Sequence, residues 1–147
     1  MNNLLLKLAI AAAAGCLLSS NLIVAQLSPT TEKAARVRIT QGPEVELSKA
    51  FLTIIRWTTN NPGGSPEHYG VIHYGTDPKK LSQSAQSPIR LSPNHPTTVF
   101  RVRMDDLKPG TTYYYTVGSM EGNGSDDGAK SAVKQFTTPV EPKRAGR

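Results

Sequence analysis

Short runs in which apolar and polar residues alternate occupy the chain from residue 34 to residue 139. The first three runs are "RVRIT", "AFLTIIRWTT" and "HYGVIHYGT", and the last three are "TTVFRVRM", "TTYYYTVGS" and "SAVKQFTT". Turn sequences rich in Gly, Pro, Asn and Asp separate them, beginning with "QGPE", which is expected to break the first strand. A weaker run between Leu81 and Leu91 raises the number of predicted strands to seven. This spacing, without a helical period, predicts an all-β fold: an antiparallel Greek-key β-sandwich of about seven strands.

The segment "DLKPGTTYYYTV" carries the strongest local signal for that fold. Pro109 fixes φ and Gly110 tolerates a left-handed backbone, so the chain is expected to reverse just before the tyrosines. Leu107 is expected to close the end of the core. Tyr113 is expected to bond the upstream backbone through its hydroxyl, as in the tyrosine corner of Greek-key sandwiches.

The same segment, with Trp57 on an early strand and "VIHYGTDPKKL" on the third, resembles a fibronectin type III-like domain. More narrowly, it is similar to the N-terminal domain of purple acid phosphatases, and the resemblance covers residues 34 to 139. It implies that Trp57 faces the core. In that family a separate C-terminal metallophosphoesterase domain performs the catalysis, and its aspartate-histidine, glycine-aspartate and glycine-asparagine-histidine motifs do not occur in this sequence.

Catalytic and metal-binding patterns are not visible along the chain. His68 and His73 are expected on opposite faces of one strand, with His95 elsewhere, and no Asp or Glu cluster accompanies them in the sequence. All three are therefore interpreted as solvated or loop histidines. The segment "GNGSDDG" lacks the ligand spacing of an EF-hand and is interpreted as a hairpin tip. No catalytic residue, metal site or cofactor is predicted, so the chain is not expected to be an enzyme.

A candidate binding face follows from alternation on three strands that the fibronectin type III-like resemblance places in one sheet. Five arginines occupy outward positions of these strands: Arg36, Arg38, Arg56, Arg101 and Arg103. Two apolar residues, Leu52 and Ile54, lie among them. The planar guanidinium suits carboxylates, sulfates and phosphates, while an apolar pair with an arginine rim suits a protein partner. The alternative is an ordinary solvated face, on which Glu44, Glu46 and Asp105 neutralise the arginines.

The overall charge adds a mild preference for anionic partners. The chain has 17 Lys and Arg against 11 Asp and Glu, a net charge of +6. Loss of Lys7 with a cleaved leader would leave 16 − 11 = +5. Nucleic acid is not a predicted partner, because no aromatic stacking motif accompanies the arginines.

The first 25 residues have the pattern of a secretory signal peptide. Lys7 precedes the apolar run from Leu8 to Leu18, which is too short and broken for a membrane span, and Ala25 ends a plausible cleavage site. The alternative "AAGC" pattern would place a lipid on Cys16, the single cysteine. The predicted organisation is a signal peptide over 1–25, a linker over 26–33, the domain over 34–139 and a flexible basic tail over 140–147.

Together these features predict a non-catalytic, exported module in the periplasm or outside the cell, anchored through Cys16 if that residue is lipidated. A protein or an anionic glycan is the expected partner. The alternative is an accessory domain of a purple-acid-phosphatase-like metallophosphoesterase whose catalytic domain lies on another chain.

Overall fold

The computed structural model describes residues 32–143, which form a β-sandwich. Among these residues there are eight strands and no helix. The strands are β1 (Ile39–Lys49), β2 (Leu52–Asn60), β3 (Glu67–Gly75), β4 (Gln83–Arg90), β5 (Thr97–Met104), β6 (Thr112–Glu121), β7 (Asp126–Lys130) and β8 (Lys134–Thr137). One sheet has the order β1-β2-β5 and the other the order β4-β3-β6-β7, with β8 also paired to β6. All pairs are antiparallel, which confirms the predicted fold class.

The eighth strand is β7, which is not among the predicted strands: it precedes the last predicted run, "SAVKQFTT", and only β8 lies within that run. β7 and β8 pair with different parts of β6: Met120 lies opposite Asp126, and Tyr113 lies opposite Phe136. The segment interpreted as a hairpin tip therefore enters a strand at Asp126. This detail matters for the chemistry below, because it brings the side chain of Asp127 to the inner face of the sheet.

The core lies between the sheets and is built from the inward positions of β2, β3, β5 and β6. Trp57 is 1 % exposed and stacks on Phe100 with ring centroids 5.4 Å apart. Gly70 lies opposite this pair, and a Cβ there would come within 3.1 Å of the indole. The glycine therefore allows the two sheets to approach each other around the tryptophan.

The tyrosine corner forms as predicted. The Tyr113 hydroxyl accepts a hydrogen bond of 2.9 Å from the backbone N–H of Lys108, and its ring is buried. Leu107 is 3 % exposed and closes this end of the core. Gly110 has a φ of 58°, in the left-handed region that the turn after Pro109 requires.

Two details of the sequence interpretation are wrong. Alternation predicts a buried Phe51, but the residue lies in the turn between β1 and β2 and is 50 % exposed. The predicted break at "QGPE" is also absent, because β1 continues to Lys49 through irregular pairing on both sides of Gly42 and Pro43. Phe51 is exposed because the alternation of a strand does not continue through a turn. The strand continues through Pro43 because β1 is an edge strand, which tolerates a proline that a central strand would not.

The predicted signal peptide and the alternative lipidation at Cys16 lie outside the described residues. Within residues 32–143 no helix is long and apolar enough to cross a bilayer. At the start of this range, the backbone N–H of Ala34 donates to the carbonyl of Pro62 over 2.8 Å. The segment that enters the domain therefore lies against the loop that joins β2 to β3.

Candidate functional site

The outer face of the three-stranded sheet contains the central part of the predicted binding face. In the β2–β5 register Arg56 lies opposite Arg101, and Ile54 lies opposite Arg103. In the β1–β2 register Leu47 lies opposite Ile54. Since residues that are opposite each other in a ladder point to the same side of the sheet, these side chains share one surface. We call Leu47, Leu52, Ile54, Arg56, Arg101 and Arg103 the outer face.

Each arginine of the outer face is paired with a carboxylate. The Arg56 guanidinium donates to Glu44 over 3.0 Å, and the Nε of Arg101 donates to Glu46 over 2.7 Å. The third pair joins the Nε of Arg103 to Asp105, also over 2.7 Å. These are the three acids that the sequence interpretation named as neutralising partners. The outer face is therefore balanced in charge rather than strongly positive.

Apolar side chains fill the remaining positions of that face. Leu47 is 40 % exposed, and Leu52 and Ile54 are half-buried. Exposed leucine at the edge of a sheet is common when isolated, but a contiguous apolar group with a rim of paired charges is typical of a surface that meets another protein.

The other two predicted arginines lie elsewhere. Arg36 and Arg38 precede β1 and, with Lys130 and Lys134, line an open groove of about 440 Å³. Asn60 fixes their backbone, because its side chain donates to the carbonyl of Arg36 and accepts from the N–H of Arg38. The structure thus brings together three of the five predicted arginines.

The histidines give a clear correction. His73 is exposed and His68 is 0 % exposed, which confirms their opposite faces but shows that His68 is not a solvated or loop histidine. It packs beside Glu121 and Asp127, and one ligand atom from each of the three lies within 4.8 Å of the others. The expectation that no carboxylate cluster accompanies the histidines is therefore wrong.

These three residues form a polar cluster at one end of the core. His68 is directly opposite Glu121 in the β3–β6 register, and Asp127 comes from β7. The carboxylate of Glu121 accepts a bond of 2.9 Å from the Lys33 ammonium. This hydrogen bond lowers the pKa of Glu121 below its ordinary value and raises the pKa of Lys33 above its own.

The sequence contains only an indirect signal for this cluster. His68 has the same parity as Ile72 and Tyr74, two residues that alternation places in the core. A polar residue at a core position needs a partner, but the partners are far along the chain and are brought close only by the pairing of β3, β6 and β7. Strand pairing, rather than motif spacing, reveals the site.

One solved structure reaches a TM-score of 0.50 and has a similar fold. The sensor domain of the anti-sigma factor RsgI4 from Pseudobacteroides cellulosolvens superposes with a TM-score of 0.50 at 17 % identity, over 76 % of this chain and 96 % of that chain. A solution structure of the same sensor domain gives a TM-score of 0.49 at 19 % identity, over 76 % and 80 % of the two chains. At this level of identity the likeness concerns the fold alone. No curated protein matches the sequence.

The family assignment comes from the sequence match. The purple acid phosphatase N-terminal domain matches residues 47–138, which is more than half of the chain. The match spans β2 to β8 and includes the tyrosine corner and Trp57. This chain belongs to the family of purple acid phosphatase N-terminal domains.

Proposed function

We propose that this chain is an exported, non-catalytic interaction module that binds a protein through the outer face. The observation that carries the proposal is the apolar group Leu47, Leu52 and Ile54 inside a rim of paired charges. Burial of such a group against a partner is favourable at about 25 cal/mol per Å² of apolar surface.

The paired charges favour a protein over an anionic glycan. A sulfate or uronate at these arginines would lie beside Glu44, Glu46 or Asp105, whose negative charges repel it. A protein surface with charges of both signs can form new ion pairs with both the arginine and the carboxylate of each pair. Exposed ion pairs of this kind contribute only about 0–1 kcal/mol to stability. Their rearrangement therefore costs little, and complementary charges determine orientation and specificity.

The binding face is tested with a matched pair of variants. In the Leu47→Glu/Ile54→Glu double variant, two charges replace the apolar group, while Val133→Glu changes an exposed apolar residue between β7 and β8. We expect one envelope protein to be crosslinked by the wild type and by Val133→Glu, and to be lost with the double variant. Equal capture by all three forms, or none by the wild type, would contradict the proposal.

Retention on heparin separates the two kinds of partner. We change Arg56, Arg101 and Arg103 to Gln and compare the salt concentration at which the protein elutes from heparin and from a plain cation exchanger. We expect the same decrease on both columns, because both then report only the loss of positive charge. A much larger loss on heparin than on the exchanger would assign the outer face to an anionic glycan instead.

Export is tested by mass spectrometry of the mature N-terminus in the native host. We expect the mature chain to begin at Gln26. A lipid-modified Cys16 at the new N-terminus would make the protein a lipoprotein, and an unprocessed Met1 would contradict export.

The second candidate function is an accessory domain for a metallophosphoesterase on another chain, and the family match favours it. In that case a metallophosphoesterase is the protein that the outer face captures. Co-purification with such an enzyme, lost in the double variant, is the expected result, together with no turnover of p-nitrophenyl phosphate by this chain alone.

A further inference from the structure

We propose that His68, Asp127 and Glu121 form a binding site for one divalent transition-metal ion, with zinc as the best match. The site lies at the end of the core where the β2–β3 and β6–β7 connections meet, and it is independent of the outer face. Three strands each supply one ligand: β3, β6 and β7.

The first observation is that the ligand atoms of His68 and Asp127 are buried without hydrogen-bond partners. The side chains of His68 and Asp127 are both 0 % exposed. Both imidazole nitrogens and the Oδ1 of Asp127 have no hydrogen bond within the described part of the chain. Buried polar atoms are nearly always satisfied, because each one left without a partner costs about 1–3 kcal/mol. A cation between them would satisfy the carboxylate oxygen and one ring nitrogen together.

The second observation is the distance between them. The Nε2 of His68 lies 3.3 Å from the Oδ1 of Asp127, close enough for an ionic contact but in an orientation that forms no hydrogen bond. Two ligands of a tetrahedral zinc ion, at about 2.0–2.2 Å from the metal, lie about 3.3–3.6 Å apart. The pair thus has the separation of neighbouring ligands around a shared ion.

The surrounding residues already hold the ligands in place. The Ser119 hydroxyl donates to the Oδ2 of Asp127 over 2.7 Å, which leaves Oδ1 directed toward His68. Asn123 donates to the Oε2 of Glu121 over 3.3 Å. A carboxylate has about four acceptor positions, so both acids can keep these bonds and still coordinate a metal. Such outer hydrogen bonds orient the ligands in known metal sites.

The charge of the cluster also favours a cation. Glu121 and Asp127 carry two negative charges, and Lys33 is the one ammonium in contact with them within residues 32–143. A divalent cation would balance both carboxylate charges in this buried place. Lys33 is 53 % exposed, so its side chain can move away when an ion enters. Gly64 allows the β2–β3 loop to lie close to the Glu121 carboxylate, because a Cβ at position 64 would come within 2.8 Å of the Oε1 of Glu121.

The donor set selects the kind of metal. Mg²⁺ and Ca²⁺ prefer oxygen ligands alone, whereas an imidazole with two carboxylates suits Zn²⁺ and neighbouring first-row ions. Three protein ligands leave a fourth tetrahedral position for water.

Titration of the metal-free full chain with zinc chloride tests the site. We expect one zinc per chain by calorimetry, a rise in Tm with zinc, and no rise with magnesium or calcium at the same concentration. Cobalt(II) provides a readout that needs no variant: a four-coordinate site gives strong visible absorption bands that hexaaqua cobalt lacks. Absence of both the zinc heat and the cobalt bands would overturn the proposal and leave the cluster as a self-contained ion-pair network.

Matched variants locate the ion. Asp127→Asn keeps the shape and the contact with Ser119, and His68→Gln keeps a polar side chain; each is expected to weaken zinc binding by more than about 100-fold. The controls are Asp126→Asn on the same strand and His73→Gln on the opposite face of β3, and both are expected to bind zinc like the wild type. If Asp127→Asn and His68→Gln bound zinc with the wild-type Kd, or if the controls lost it, the site would be elsewhere.

Discussion

Two groups of charges in this molecule differ in what surrounds them. On the outer face, Arg101 and Glu46 keep 56 % and 39 % of their side chains exposed and form a direct pair of 2.7 Å. At the loop end of the core, His68 and Asp127 are fully buried and approach to 3.3 Å without a hydrogen bond. The exposed pair is complete by itself, whereas the buried pair is incomplete. Water supplies what the exposed groups lack, whereas the buried pair is shielded from water, and the proposed ion would take its place.

The largest expected effect is the gain in stability from zinc at the buried cluster. A ligand that binds only the folded state at about 1,000 times its Kd adds about 4 kcal/mol to the free energy of unfolding. We expect urea unfolding of the wild type to show a gain of that order in zinc relative to chelator, and Asp127→Asn to show none. An equal gain in unfolding free energy in the wild type and in Asp127→Asn would show that zinc binds outside the cluster. The buried cluster would then differ from the outer face in burial but not in its need for a ligand.

The next effect concerns the hydroxyl that orients Asp127. Ser119→Ala removes a 2.7 Å hydrogen bond from a side chain that does not itself touch the proposed ion. Loss of such a bond typically weakens metal affinity by about 10–100-fold. We expect the Kd for zinc to rise by this factor while the stoichiometry remains one. Ser119→Thr, which keeps a hydroxyl, is the control. An unchanged Kd in Ser119→Ala would show that Asp127 does not depend on this bond for its orientation.

A third prediction extends the contrast between buried and exposed groups to the tyrosines. Burial raises the pKa of Tyr115, which is 1 % exposed, above its ordinary value. Because the folded state holds this proton more tightly than the unfolded state, the contribution to stability is complete below about pH 10 and is lost as the pH rises above it. We expect Tyr115→Phe to lose less stability than the wild type between pH 10 and 12, although its stability at pH 7 is lower or equal.

Absorbance at 295 nm, which follows tyrosinate, checks the alkaline prediction directly. In the wild type Tyr74 and Tyr115, whose pKa values are both raised by burial, are expected to ionise together with unfolding, and the amplitude of this step is expected to fall in Tyr115→Phe. An unfolding profile of the same slope in both proteins would show that Tyr115 does not control alkaline stability.

The contrast also explains what could be predicted from the sequence. Trp57 and Tyr113 are readable because alternation and the Pro109–Gly110 turn are local signals. The outer positions of Arg56, Arg101 and Arg103 follow from the same alternation, and their acids lie nearby on β1 or directly after β5. Phe51 is predicted wrongly because the strand period does not continue through a turn.

The buried cluster could not be predicted in the same way. The position of His68 in the core follows from the parity of β3, but its partners do not. Asp127 reaches the inner face because an additional strand, β7, begins at Asp126 inside a segment that is typical of a loop. Long-range pairing of this kind depends on register, and one residue of slip would turn Asp127 to the solvent.

The smallest expected effect is that of the exposed pairs. A double-mutant cycle with Arg101→Gln and Glu46→Gln measures the coupling free energy of that pair, which we expect to be about 0.2–1 kcal/mol and to fall toward zero in 1 M salt. Both side chains retain much of their exposure, so solvent and ions replace the lost contact. A coupling above about 2 kcal/mol, or one that persists in high salt, would mean that the outer face is held as rigidly as the core. The three ion pairs would then be fixed structural elements rather than contacts that a partner can rearrange. A partner protein could not replace them with ion pairs of its own at low cost, which the proposed binding mode requires.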